Sequence, residues 1–144
     1  MQSKFLIKLC RAAIKAQANS FSPYSGFCVG AALALVGSKR IVTGANVESA
    51  SYGLTCCAER VALFNAITNG DRNFQAIAIA SPGGAMPCGA CRQLLAEHAP
   101  DAVVVVVDSR KPHRYFETRV ADLLPLHFDG SALSKVKSSL RHKT

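Results

Sequence analysis

The sequence predicts an α/β domain in which a mixed β-sheet carries helices on its faces. Three observations predict it. An early hairpin signal joins Val29–Val36 to Ile41–Thr43 across Gly37-Ser38. Two helical segments with caps and stops, near 57–69 and 88–98, alternate with apolar runs of strand length. Val103 to Val107 are five consecutive valines, the strongest strand signal in the chain. Helices alternating with strands after a hairpin form layers around a sheet. The 144 residues suit one domain with a real core.

Taken in order, Ser3 can cap a first helix running to about Ala18. Phe5, Leu9, Ala12, Ala13 and Ala16 recur at helical spacing and are expected to face the core. Lys4, Lys8, Arg11 and Lys15 form another stripe. Residues 19–27 read as a loop around Pro23, and 44–54 as polar and irregular. A helix from Cys57 to Asn69 has a broad apolar face (Val61, Ala62, Phe64, Ala66, Ile67) and stops at Gly70. Ala76–Ala80 is a strand, and 81–87 a Gly/Pro loop. A helix covers Cys88–His98, and Ala102–Val107 is a strand. A weak strand, Tyr115–Thr118, and a short helix before Pro125 follow. The order is α-β-β-α-β-α-β-β. Residues 1–129 read as one domain and 130–144 as a basic, partly disordered tail.

The net charge is +8, but its placement matters more. Residues 1–20 and 130–144 each hold four Lys/Arg and no acid, so 21–129 balance nine bases against nine acids. A basic protein invites a nucleic-acid reading. Here the excess lies at the two ends, away from the motifs, and no specific nucleic-acid partner is expected. No segment approaches the roughly 20 apolar residues that span a bilayer, and no targeting pattern opens the chain. A cytoplasmic protein without a membrane partner is expected.

Cys10, Cys28, Cys56, Cys57, Cys88 and Cys91 are expected to be thiols or metal ligands rather than disulfides. Two segments stand out: Cys57-Ala58-Glu59-Arg60 and Pro87-Cys88-Gly89-Ala90-Cys91-Arg92. Each opens a predicted helix, where the partial positive charge and free N–H groups favour thiolate. Three thiolates leave the fourth tetrahedral position of a zinc ion open, which is the catalytic pattern. Glu59 is near enough to handle protons without ligating. Three thiolates and one Zn²⁺ leave a net −1, which Arg60 or Arg92 can offset through hydrogen bonds to sulfur. Alone, Cys-x-x-Cys also suits a redox pair or a structural half-site. The upstream Cys-x-Glu and the preceding Pro match the three-cysteine variant of the zinc deaminase signature. That register favours Cys57 over its neighbour Cys56 as ligand; Cys56, Cys10 and Cys28 are assigned to packing.

The chain resembles the short, single-domain, zinc-dependent cytidine deaminases from Phe21 to about Phe128. The resemblance rests on Ser22-Pro23-Tyr24-Ser25-Gly26-Phe27, Val29-Gly30-Ala31-Ala32-Leu33, Thr43-Gly44-Ala45-Asn46-Val47-Glu48, Ala50-Ser51-Tyr52-Gly53, the two cysteine segments with Gln93, and Leu123-Leu124-Pro125. It implies a three-layer α-β-α fold with a mixed five-stranded sheet, assembled as a homotetramer with shared active sites. It implies one Zn²⁺ per chain on Cys57, Cys88 and Cys91, and Glu59 as proton shuttle. Asn46 and Glu48 are implied to hold the ribose, and Phe27 and Ala58 to bind the nucleoside. Ala50, Tyr52 and Phe128 are implied to reach a neighbouring subunit's site. Ser49, Cys56, Met86 (where Ser is frequent) and Leu126-His127 depart from the commonest pattern.

The chemistry agrees. Asn plus carboxylate satisfies hydroxyls that both donate and accept, and an aromatic ring covers a pyrimidine face. The expected reaction is hydrolytic deamination of free cytidine and deoxycytidine, in which Glu59 accepts the proton of the attacking water and protonates N3. Two alternatives stand beside it. A deaminase of nucleic-acid cytosine or of a nucleoside antibiotic shares the zinc site, but the antibiotic reading should lack Asn46-x-Glu48. A non-catalytic zinc or redox module gives no reason for Glu59.

Overall fold

The computed structural model describes residues 3–134. Its core is one five-stranded sheet in the order β2-β1-β3-β4-β5, with β1 Gly30–Leu35, β2 Ile41–Ala45, β3 Phe74–Ser81, β4 Val103–Asp108 and β5 Tyr115–Arg119. Only β3 and β4 run parallel; the other pairs are antiparallel. The parallel step needs a crossover, and α3 (Gly89–His98) supplies it.

Period-two alternation divides the strands between two faces. Ala32, Ala34, Ala76, Ala78, Ala80, Val105 and Val107 pack with Leu6, Leu9 and Ala13 of α1 (Ser3–Ala16). Ala31, Leu33, Ile77, Ile79, Val104 and Val106 pack on the opposite face with Ala62 and Leu63 of α2 (Ala58–Thr68) and Leu95 of α3. The result is the expected three-layer α/β architecture. The run of five valines in β4 reflects burial on both faces.

The α1 stripe differs from expectation. Leu9, Ala13 and Ala16 are buried as predicted, but Leu6 and Cys10 join them, whereas Phe5 and Ala12 are only partly buried. Positions 6, 9, 10, 13 and 16 follow the i, i+3, i+4, i+7 pattern more closely. Lys4, Lys8, Arg11 and Lys15 are exposed. β2 runs two residues beyond its predicted end, to Ala45, and Val47 then bridges Phe21 and Cys56. A stretch read as irregular is therefore pinned to the sheet's end. Residues 131–134 form a helical turn; the expectation for the tail beyond them lies outside the described residues. Among the described residues no helix is long and apolar enough to cross a membrane.

Two glycines set the layer spacing. A Cβ at Gly30 would collide with the Ala13 carbonyl of α1, and one at Gly44 with the Ala62 amide nitrogen and the Ala58 carbonyl of α2. Gly44 therefore holds the start of α2 against β2. Gly44→Ala is expected to destabilise the fold by about 1–3 kcal/mol through overpacking. Chemical denaturation measures it; an unchanged midpoint would show that α2 yields freely.

Candidate active site

β1 begins where β2 and β3 end: Gly30 faces both Ala45 and Ala80 across the ladders. Three connections therefore meet at one end of the sheet. Residues 27–29 lead into β1, 46–48 follow β2, and 82–88 follow β3. α2 and α3 start beside them, with Cys57 and Cys88 as extended N-cap residues. Neither makes a side-chain capping bond, so both thiols are available for other chemistry.

The sulfurs of Cys57, Cys88 and Cys91 lie within 4.8 Å of one another. Cys57 and Cys88 are 3.8 Å apart, and Cys88 and Cys91 3.6 Å. Two thiolates 2.3 Å from a tetrahedral zinc are about 3.8 Å apart, so the donor set fits that ion. Cys56 is outside the cluster; its backbone makes two 2.9 Å bonds with Val47. Cys10 is buried as expected. Cys28 is half-buried, its sulfur 3.2 Å from the Ser22 hydroxyl.

The electrostatics favour the same reading. A hydrogen bond from Cys91, with help from Arg60 and Cys88 and against desolvation, brings the Cys57 thiol down to about 5. Donating that bond pushes the Cys91 thiol up, and burial adds to the effect. Without a cation the three sulfurs cannot all ionise at this spacing; a divalent ion removes the conflict. Glu59, 5% exposed, is pushed up to about 7, chiefly by burial. The Cys57 charge adds to this, while the residue's own amide and Cys91 oppose it.

Arg60 donates to the Cys57 sulfur at 3.6 Å and to the Thr55 carbonyl at 2.9 Å. Its guanidinium is therefore in contact with one of the three sulfurs, the position the expected charge compensation requires. Arg92 is not so placed: its Nε donates to the Pro87 carbonyl and its Nη1 to the Leu123 carbonyl. Gln93 binds the Phe128 carbonyl, so the two side chains strap residues 123–128 onto α3. Arg92 points back along the helix, as side chains near a helix start do, and reaches carbonyls before sulfur.

A cleft of 220 Å³ opens over the cluster and brings together Phe27, Asn46, Glu48, Cys57, Glu59 and Cys88. Glu48 Oε1 accepts the Tyr24 and Ser25 amides, both at 3.2 Å. Desolvation is the largest single influence and raises that carboxyl, but these bonds and one from the Ser25 side chain together outweigh it and hold it below the usual carboxylate range. Asn46 is largely engaged in structure. Its Oδ1 accepts the Val29 amide and the Ser20 hydroxyl, and its Nδ2 donates to the Phe27 carbonyl. One N–H remains for a ligand. Ala58 is wholly buried at the start of α2, and its side chain is not part of the cleft. Ala50, Tyr52 and Phe128 lie outside it; Tyr52 and Phe128 are 75% and 60% exposed. Sequence reasoning missed Ser25, Thr55 and Met86 as walls. Ser25 and Met86 stand in or beside motif blocks; nothing in the sequence marks Thr55.

A family model described as the cytidine and deoxycytidylate deaminase zinc-binding region matches residues 3–107. A cytidine deaminase of Sporosarcina psychrophila is 42% identical over 129 residues, 88% of this chain and 93% of that protein. The crystal structure of a cytidine deaminase from Burkholderia pseudomallei superposes with a TM-score of 0.81 at 41% identity, covering 89% of this chain and 100% of that one. A blasticidin-S deaminase of Bacillus cereus is 30% identical over 98 residues, 61% of this chain and 68% of that protein.

Proposed function

This chain belongs to the cytidine and deoxycytidylate deaminase family, and on that premise we propose that it catalyses zinc-dependent hydrolytic deamination of free cytidine and 2′-deoxycytidine, yielding uridine or 2′-deoxyuridine and ammonia. The observation that carries the proposal is a buried carboxyl beside three converging sulfurs at the floor of a base-sized cleft. Cys57, Cys88 and Cys91 would hold the zinc. When bound, zinc supplies Lewis acidity that brings the pKa of water from about 16 toward 7.

The remaining steps belong to the chain. Glu59 accepts the proton of the attacking water and delivers it to N3 of the base. A second transfer through the same carboxyl reaches the departing amino group. A base suited to this task titrates near working pH, and burial brings Glu59 there. Phe27 covers one face of the pyrimidine. Glu48, held by two amides, accepts from a ribose hydroxyl, and the unspent Asn46 N–H donates to another. Arg60 steadies the Cys57 charge.

A homotetramer with shared sites is part of the reading. Small-molecule pockets measure about 300–1,000 Å³, and the one-chain cleft falls short of that. The exposure of Tyr52 and Phe128 supports a neighbouring chain completing it. The Glu48 carboxylate in the cleft favours a ribose-bearing substrate over an antibiotic.

The test is ammonia release from cytidine, from free cytosine and from a cytidine-containing single-stranded oligonucleotide at near-physiological salt. Cytidine should be strongly preferred, because a lost sugar leaves site polar groups unpaired. Glu48→Ala should erode that preference with zinc retained. Asn46→Ala should also destabilise the fold, since it orphans the Val29 amide and the Phe27 carbonyl at about 1–3 kcal/mol each. Equal efficiency on cytosine, or on the oligonucleotide, would overturn the free-nucleoside reading.

A further inference from the structure

We infer that the Met86 side chain is a specificity-determining wall, limiting the size of the substituent on the C5 edge of the pyrimidine. This rests on the deaminase reading above. Met86 lines the catalytic cleft and also a second cavity of 390 Å³. Met86 is the residue that the two cavities share. Beyond it lie Gly84, Val106, Arg114 and Phe116, none of which belongs to the cleft.

The chemistry of the ring assigns the edge. C4 must face the sulfur cluster, and its two ring neighbours are N3 and C5. N3 goes to Glu59, on the wall made by α2. C5, on the other side of C4, is assigned to the lining supplied by the loop between β3 and α3, where Ala85 and Met86 stand. A substituent at C5 therefore meets Met86 first. An unbranched thioether adapts its shape readily, so a methyl group is admitted and a rigid, longer group is stopped.

The loop does not depend on Met86 for its shape. Gly83 and Gly84 turn it at positive φ, 81° and 69°. The Gly83 amide donates to Asp108, the Gly84 amide to the Ser81 carbonyl and the Ala85 amide to the Ser81 hydroxyl. Pro87 fixes the next step. Met86 is 39% exposed and belongs to neither core cluster. Shortening it removes Cγ, Sδ and Cε at the residue both cavities share, which is the space a longer C5 substituent needs.

The experiment compares parent, Met86→Ala and Met86→Leu, each with zinc content measured, on cytidine and 5-(1-propynyl)cytidine. The ratio of kcat/KM for the propynyl substrate to that for cytidine should rise by about tenfold or more in Met86→Ala, mainly through KM. In Met86→Leu, of similar bulk, it should stay near the parent value. Calorimetric binding of uridine and 5-(1-propynyl)uridine to the three zinc-loaded proteins should show the same selective gain in Met86→Ala. An unchanged ratio in Met86→Ala, or an equal rise in Met86→Leu, overturns the inference. If the parent releases no ammonia from cytidine, the deaminase reading fails instead. The calorimetric comparison then decides on Met86 alone: a gain for the propynyl ligand confined to Met86→Ala sustains the wall, and its absence overturns it.

Discussion

Glu59→Gln is expected to lower cytidine turnover by about 10²–10⁴-fold or more while zinc content and fold are retained. General acid–base groups contribute on that order, and Glu59 is asked to serve more than one transfer. Gln has nearly the same shape and still fits the buried position at the start of α2. It cannot accept and return a proton. The environment also explains why a carboxyl works here. Burial pushes Glu59 up to about 7 and the thiolate charge of Cys57 pushes the same way, so the proton is held loosely near neutrality. A cation on the sulfurs offsets that negative charge and favours the ionised form needed to accept a proton. Steady-state kinetics with metal analysis measures the effect. A variant within tenfold of the parent rate would show that another group moves the protons.

Much of this site was legible in the sequence because helix starts and cysteine spacing are local. Cys57 and Cys88 each precede a helix, and both are N-caps in the structure. Cys91, one turn into α3, reaches the same point, and Glu59 lies beside it. The register that preferred Cys57 to Cys56 agrees with the geometry, since the sulfurs that converge are those of Cys57, Cys88 and Cys91. What the sequence could not supply is what depends on other segments. Arg60 and Arg92 are each three residues or fewer from a ligand in sequence. Yet only Arg60 reaches sulfur, because carbonyls of Pro87 and Leu123 capture Arg92. The same holds for Asn46. Its place in a polar stretch hid that its amide closes the Phe27–Val29 turn. The α1 face differs from expectation at Phe5 and Ala12, which yield to Leu6 and Cys10, because apolar residues on most sides of this helix fit several stripes equally.

Arg60 shows the tension at the site. Its Nε is buried with no hydrogen-bond partner among the described residues. Such a group costs about 1–3 kcal/mol, and native folds keep few of them. The same guanidinium bonds to Cys57 through Nη2, and that sulfur holds Arg60 above its ordinary range. The chain tolerates the orphaned donor in order to keep a fixed positive charge against the sulfurs.

That charge sharpens the remaining expectation: Cys57→Ala should lose zinc and cytidine turnover together, whereas Cys56→Ala should keep both. Removing the Cys57 sulfur takes one of three donors, the one that Arg60 bonds, and leaves only Cys88 and Cys91 for the metal. Cation and guanidinium then compete for less negative charge. Cys56→Ala deletes a half-buried thiol but leaves its two backbone bonds with Val47 intact. Stability gives a second readout, because metal that binds only the folded state stabilises it. Zinc at a hundred times its Kd adds about 2.7 kcal/mol. A strong chelator should therefore lower the melting temperature of the parent and of Cys56→Ala, and leave that of Cys57→Ala unmoved. Full metal content with full activity in Cys57→Ala would remove it from the ligand set. Metal loss in Cys56→Ala alone would transfer the role to the neighbouring thiol.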